Sequence, residues 1–160
     1  MTTEHPHDGL DVEQVVSTLR DAKVVMLTSV GEDDRLEAHP MTPQRVDDDA
    51  TVWFLVGKRG DQADNLAGDH RANVAVASPG SWLSVSGTVE FVDDPALLDQ
   101  FHDETAEKFA DKEDSAVLRF TGQSAQSWGQ PGGPVRALAA MVGAKVTGKR
   151  PEGGSGTTEL

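Results

Sequence analysis

A mainly β fold (α+β), a six-stranded split β-barrel with peripheral helices, is what this sequence predicts. Six short runs rich in β-branched and apolar residues carry that expectation. Gly-, Asp- and Pro-containing turns separate them, and few helical patterns intervene. A length of 160 residues suits one domain spanning 1–160, with an ordered core over 10–147 and flexible segments at 1–8 and 148–160.

Leu10–Ala22 predicts the first helix, since Leu10, Val12, Val15, Val16 and Leu19 recur at helical spacing behind Asp11. Lys23–Val30 is the first strand and stops at the turn Gly31-Glu32-Asp33-Asp34. Arg35–Val46 is the second, with Pro40 and Pro43 inside it. Proline donates nothing to a sheet ladder, so both belong at an edge, a bulge or a gap facing a ligand. Asp47-Asp48-Asp49 turns the chain into a third strand, Thr51–Val56.

Asp61–Ala67 predicts a short helix and Ala72–Ser78 the fourth strand. After Pro79-Gly80, Trp82–Val92 is a long strand with Gly87 near its middle and Trp82 as a core residue. Asp94–Asp111 predicts an amphipathic helix with Pro95 in its first turn and Leu97, Leu98, Phe101 and Phe109 as its apolar contacts. Ser115–Gly122 is the sixth strand, Pro134–Val142 a closing helix, and Gly148–Leu160 a mobile tail.

Composition removes several functions. A net charge of −13 opposes binding to nucleic acid or an anionic membrane. No apolar run approaches the roughly 20 residues of a membrane span. The start MTTEHPHDG does not read as a secretory signal, so a cytoplasmic protein is expected. Without cysteine there is no disulfide, thiolate catalyst or thiolate zinc site. Nucleophile-elbow, P-loop and dinucleotide glycine motifs are missing as well.

Among the histidines, His5 and His7 lie in the flexible start, His70 at a helix end, and His102 on a solvated acidic face. His39 differs, because Pro40 follows it on a strand that cannot pair fully. Its surroundings suit either a ligand or an ordinary barrel edge. Trp128, in the loop-like run Ser127-Trp128-Gly129-Gln130, would cover a ring or enter a subunit interface.

The motifs MLTSVGEDDRLEAHPM, TVWFLV, NVAVAS, WLSVSGTVEFVDD, VLRF with QSAQSWG, and AKVTGKRP follow one another between Val12 and Pro151. In that order they resemble the pyridoxamine 5′-phosphate oxidase-like split barrels, in the branch of bacterial general stress proteins that bind flavin mononucleotide (FMN). The resemblance implies a homodimer with two flavin sites in the grooves between subunits. It implies that His39, Pro40, Met41 and Thr42 approach the ring and ribityl chain. Leu55 and Val56 would line the site beside the phosphate, and Trp128 would come near the ring, within its own subunit or, as is usual in the family, from the other one.

One stretch departs from that pattern. The family usually places a serine and a lysine, or an arginine and a lysine, where Gly60, Asp61 and Gln62 stand here. Lys58 and Arg59, just upstream, are the replacements expected to meet the phosphate together with the helix N-terminus. Losing one charged phosphate contact costs on the order of 1.5–3 kcal/mol. Three functions stay open: an FMN-dependent oxidoreductase whose chemistry belongs to the flavin, a deazaflavin-dependent reductase, and a cofactor-free dimeric stress or binding protein. The deazaflavin's acidic tail asks for more basic residues than Lys58, Arg59 and Arg71. The third reading would explain Gly60-Asp61-Gln62 directly.

Overall fold

In the computed structural model, residues 11–102, 111–129 and 154–160 are described. Helix α1 (Val12–Asp21) is fixed at its start by a reciprocal cap. The Asp11 carboxylate accepts from the Gln14 amide at 2.9 Å, and the Gln14 side chain accepts from the Asp11 amide at 3.0 Å. Its buried stripe is Val15, Val16 and Leu19. Arg20, near its end, donates to the Val46 carbonyl and pairs with Asp48, tying the helix to a distant turn.

The strands are β1 (Val25–Val30), β2 (Leu36–Met41), β3 (Arg45–Val46), β4 (Val52–Gly57), β5 (Arg71–Ser78), β6 (Ser81–Val92), β7 (Ser115–Gly129) and β8 (Gly154–Glu159). Helix α2 (Asp61–Gly68) follows β4, and α3 (Pro95–Phe101) follows β6. All pairings are antiparallel, in the order β2-β1-β5-β6-β7-β4-β3, with β8 added to β7. The two end strands of that path, β2 and β3, are joined by only Thr42, Pro43 and Gln44. Three residues reach no more than about 14 Å between the flanking Cα atoms, so the sheet has to curl into a half-barrel.

The predicted second strand thus becomes two. Pro43 offers no N–H at the break, and pairing resumes when Gln44 donates to the Trp53 carbonyl at 2.8 Å. Pro40 lies on the edge strand β2, as proline should. The predicted Ser115–Gly122 strand instead runs to Gly129, because β6 and β8 supply partners on both sides of its second half. That corrects the loop expected around Trp128. Residues 154–160 of the expected mobile tail are likewise placed, with β8 paired to Ser124–Gly129 and Leu160 donating to the Gln123 carbonyl.

Only Pro95–Phe101 of the predicted Asp94–Asp111 helix is described as helix, and Asp111 is extended. The expected helix over residues 134–142 lies outside the described residues.

Alternation across the sheet separates two faces. The row His39–Leu27–Val74–Val85–Ala125 points inward, onto a core that includes Phe54, Leu66, Leu118, Phe120 and the stripe of α1. Each large apolar side chain buried there contributes about 1.5–3 kcal/mol. A smaller cluster of Trp53, Phe101 and Val117 sits under α3 with Leu55, Leu97 and Leu98 against it.

The outward rows read Pro40–Met26–Ala75–Ser84–Gln126, Ala38–Thr28–Asn73–Ser86–Ser124 and Ala77–Trp82–Trp128. Trp82, predicted as core, stands in the last of these and is 48% exposed. It shares its strand face with Ser84 and Ser86, while Leu83 and Val85 take the buried one.

Candidate functional site

The strand β2 turns Glu37, His39 and Met41 to the inner face, all half-buried, and Ala38 and Pro40 outward. Helix α2 reaches that strand through two side chains. The Gln62 amide approaches the Met41 Sδ at 3.5 Å, and the Asn65 amide donates to the Glu37 carboxylate at 2.8 Å. Ser29, opposite Glu37 in the β1–β2 register, is buried. Its Oγ and the Nε2 of His39 are both buried, and neither has a hydrogen-bond partner among the described residues. Thr42, at the end of the segment, is exposed, and its carbonyl accepts from the Gln44 side chain at 3.3 Å.

Leu55 and Val56 are placed differently. Leu55 packs into the cluster under α3, and Val56 is buried in the main core. The Val56 side chain is closed to a ligand and Leu55 is partly covered by the α3 cluster, so the backbone is the part of this strand end best placed to line a site. That backbone has a free edge among the described residues, since β3 pairs only with Val52 and Trp53.

The start of α2 is acidic. Gly60 caps it with φ +110° and no side-chain hydrogen bond, and Asp61 and Asp64 occupy the first turn. The first intrahelical bond runs from the Asp64 amide to the Gly60 carbonyl at 3.1 Å, so the amides before it point out of the helix.

Lys58 and Arg59 are held elsewhere. The Lys58 Nζ donates to the Glu113 carbonyl at 2.8 Å, its backbone amide donates to the Asp114 carbonyl at 2.7 Å, and Arg59 pairs with the Asp114 carboxylate. Lys58 also lines a surface cavity of about 250 Å³ with Ala63, Asp64, Ala67, Phe91 and Ala116. On a helical wheel those α2 residues form the flank opposite Gln62 and Asn65. The expected replacement cations therefore face away from the β2 side.

Arg71 is engaged as well. It pairs with Asp69 at 2.5 Å and lies 4.0 Å from Asp34. The Arg71 side chain and amide hold the Asp69 carboxyl down to about 2. Trp128 is 44% exposed on the outer face beside Trp82, the opposite side of the sheet from His39.

The structure thus gathers His39, Met41 and Gln62 and sets Lys58, Arg59 and Trp128 apart. It also adds Ser29, Glu37 and Asn65, which sequence reasoning missed. The alternation of LEAHPM already put Glu37, His39 and Met41 on one side, and that was the available signal. Among the described residues no group of three or more His, Asp or Glu is placed to hold a metal.

The family profile described as "Pyridoxamine 5'-phosphate oxidase like" matches residues 11–152. The chain belongs to the pyridoxamine 5′-phosphate oxidase-like family. Solved structures agree on this split barrel. A candidate general stress protein 26 from Jannaschia sp. CCS1 is 27% identical, with a TM-score of 0.71 over 91% of this chain and 95% of that one. A protein related to general stress protein 26, of the pyridoxinephosphate oxidase family, from Clostridium acetobutylicum gives 17% identity and a TM-score of 0.66. That match covers 76% of this chain and 92% of that one. A heme binding protein from Mycobacterium smegmatis shares the fold at 19% identity and a TM-score of 0.61, over 76% of this chain and 55% of its own. No curated protein matches the chain.

Proposed function

We propose that this pyridoxamine 5′-phosphate oxidase-like chain is a cytoplasmic, dimeric general stress protein that binds a flavin ring beside β2 and the start of α2. The observation that carries this is a pair of buried atoms without a partner among the described residues, His39 Nε2 and Ser29 Oγ, in a family member whose edge strand β2 also offers Met41. An unpaired buried polar group costs about 1–3 kcal/mol, and a ligand supplying the partner removes that cost. A flat conjugated ring needs apolar walls and a few hydrogen bonds, which Met41 and His39 on one face of β2, with Thr42 at its end, offer.

The ring end of an FMN therefore fits, while its phosphate end does not. Asp61 and Asp64 stand in the first turn of α2, and Lys58, which meets Asp64 on the flank away from β2, is already bonded to the Glu113 carbonyl. A bound flavin supplies oxidation and reduction, and the chain's own residues hold and orient it.

The proposed partner is a second copy of the chain. From β2 to β7, three outward rows carry no charge in a protein of net charge −13, Glu159 on β8 being the charge that bounds them, and Trp82 and Trp128 lie among them. Charge depletion with exposed aromatics is the composition of an interface core. Trp128, turned away from its own His39, reaches a flavin only in a partner. A cofactor-free dimer is the second reading, favoured by Asp61 and Gln62. A deazaflavin has less support, because Arg71 is already bound to Asp69.

Visible absorption of the purified protein, followed by titration with FMN, riboflavin and deazaflavin, tests this. Saturable quenching of a flavin at micromolar concentration is expected. A colourless protein that quenches none of them would favour the cofactor-free dimer.

A further inference from the structure

We infer that the site selects a flavin lacking the terminal phosphate, a neutral riboflavin-class ligand, over FMN. This deepens the flavin reading above and rests on it. A flavin phosphate carries about −1.5 to −2 charges at neutral pH, by analogy with other phosphate monoesters. It needs a cation, or several free amides, that no carboxylate opposes.

The first turn of α2 offers amides, but Asp61 and Asp64 share that turn and no basic residue does. Lys58 and Arg59, the nearest basic residues in the chain, are bonded to the Glu113–Asp114 segment, and Lys58 lies on the far flank of the helix. Arg71 is bonded to Asp69. On the β2 flank, Glu37 is one more carboxylate, quenched by the Asn65 amide rather than by a cation.

The unsatisfied groups of the region, among the described residues, are a hydroxyl and a ring nitrogen. The hydroxyl of Ser29, a residue 1% exposed, and the imidazole nitrogen of His39 lie on the strand faces that α2 covers through Asn65 and Gln62. Such groups recognise carbonyls, ring nitrogens and sugar hydroxyls as well as they recognise an anion, without requiring charge. A phosphate brought to the acidic turn would be repelled, and a ribityl chain ending in a hydroxyl would not.

The test compares riboflavin and FMN by fluorescence quenching with the native chain and with Asp61→Lys, an exposed position whose reversal leaves the core untouched. The native chain is expected to bind riboflavin tighter than FMN, by on the order of tenfold. Asp61→Lys should tighten FMN by roughly tenfold, lose that gain at high salt, and leave riboflavin within about twofold. Native protein that binds FMN as tightly as riboflavin, or tighter, overturns the inference and leaves the flavin reading standing. An FMN affinity unmoved by Asp61→Lys also overturns it. Binding of neither flavin refutes the flavin reading itself.

Discussion

A methyl group at Gly87 would lie 2.0 Å from the Thr121 carbonyl oxygen and 3.0 Å from the Phe120 ring. The β6–β7 register shifts at this point, so the glycine lets two long strands cross closely where one residue is extra. Gly87→Ala is expected to destabilise the fold by about 1–3 kcal/mol, read from the midpoint of urea unfolding. A midpoint unchanged from the native one would mean the strands part freely there. Asp69 gives the pH prediction. Its carboxyl is held at about 2 against the ordinary 3.8, first by the hydrogen bond from the Arg71 side chain. Because the folded form is the better acid, this group adds stability above its ordinary value and loses it as pH falls toward 2. Asp69→Asn should therefore flatten the acid limb of thermal stability in that window, and an identical limb would show that the pair contributes nothing. Single residues were legible where they break a rule of the backbone. Pro40 marked an edge, and Gly87 stood out in a strand. Trp82 was not legible, because alternation tells which side chains share a face but not which face the protein covers.

At the scale of elements, the signals that read correctly were local ones. Asp11 ahead of an apolar stripe at helical spacing announces α1, and the Gly-Asp-Pro punctuation separates the strands. Elements made by distant partners stayed hidden. The run Gln123–Gly129 is poor in strand formers and becomes strand only between β6 and β8. Lys58 and Arg59 were close to α2 in sequence, yet their bonds to Glu113 and Asp114, more than fifty residues on, decide which flank they serve. The corner that seats α3 is equally non-local. The Trp53 indole donates to Asp47 at 2.8 Å, Arg45 stacks over it at 4.8 Å, and Phe101 of α3 meets it at 6.3 Å. Trp53→Phe keeps a ring but strands the Asp47 acceptor beside Arg45, so a loss of about 1–2 kcal/mol is expected. Combining it with Asp47→Ala in a double-mutant cycle checks the assignment, since the coupling should account for most of that loss. Additive effects would place the cost in packing alone.

For the whole molecule, the distribution of charge matters more than its sum. A chain of net charge −13 repels its own copy, so association needs a face from which charge has been removed. The outward rows from Ala38 to Ser124 and from Pro40 to Gln126 form such a face, bounded at β8 by Glu159, with Ala77, Trp82 and Trp128 beyond them. Folding alone leaves Trp82 and Trp128 about half exposed, at 48% and 44%, so neither is needed to close the core. Trp82→Glu should therefore leave the unfolding midpoint within about 0.5 kcal/mol of the native value, as surface substitutions do. It should nevertheless convert the proposed dimer to monomer by burying a charge within the interface. Sedimentation velocity over a range of concentrations distinguishes the outcomes. If Trp82→Glu remains dimeric, the interface lies elsewhere, and if the native chain is monomeric at high concentration and high salt there is no dimer to place. The same variant links assembly to ligand binding. Trp128 and His39 occupy opposite faces of one sheet, so a monomer cannot bring both to one flavin. Loss of the dimer should weaken flavin binding even though neither His39 nor Gln62 has changed. Flavin affinity that survives in a monomeric Trp82→Glu protein would confine the site to β2 and α2 of a single chain.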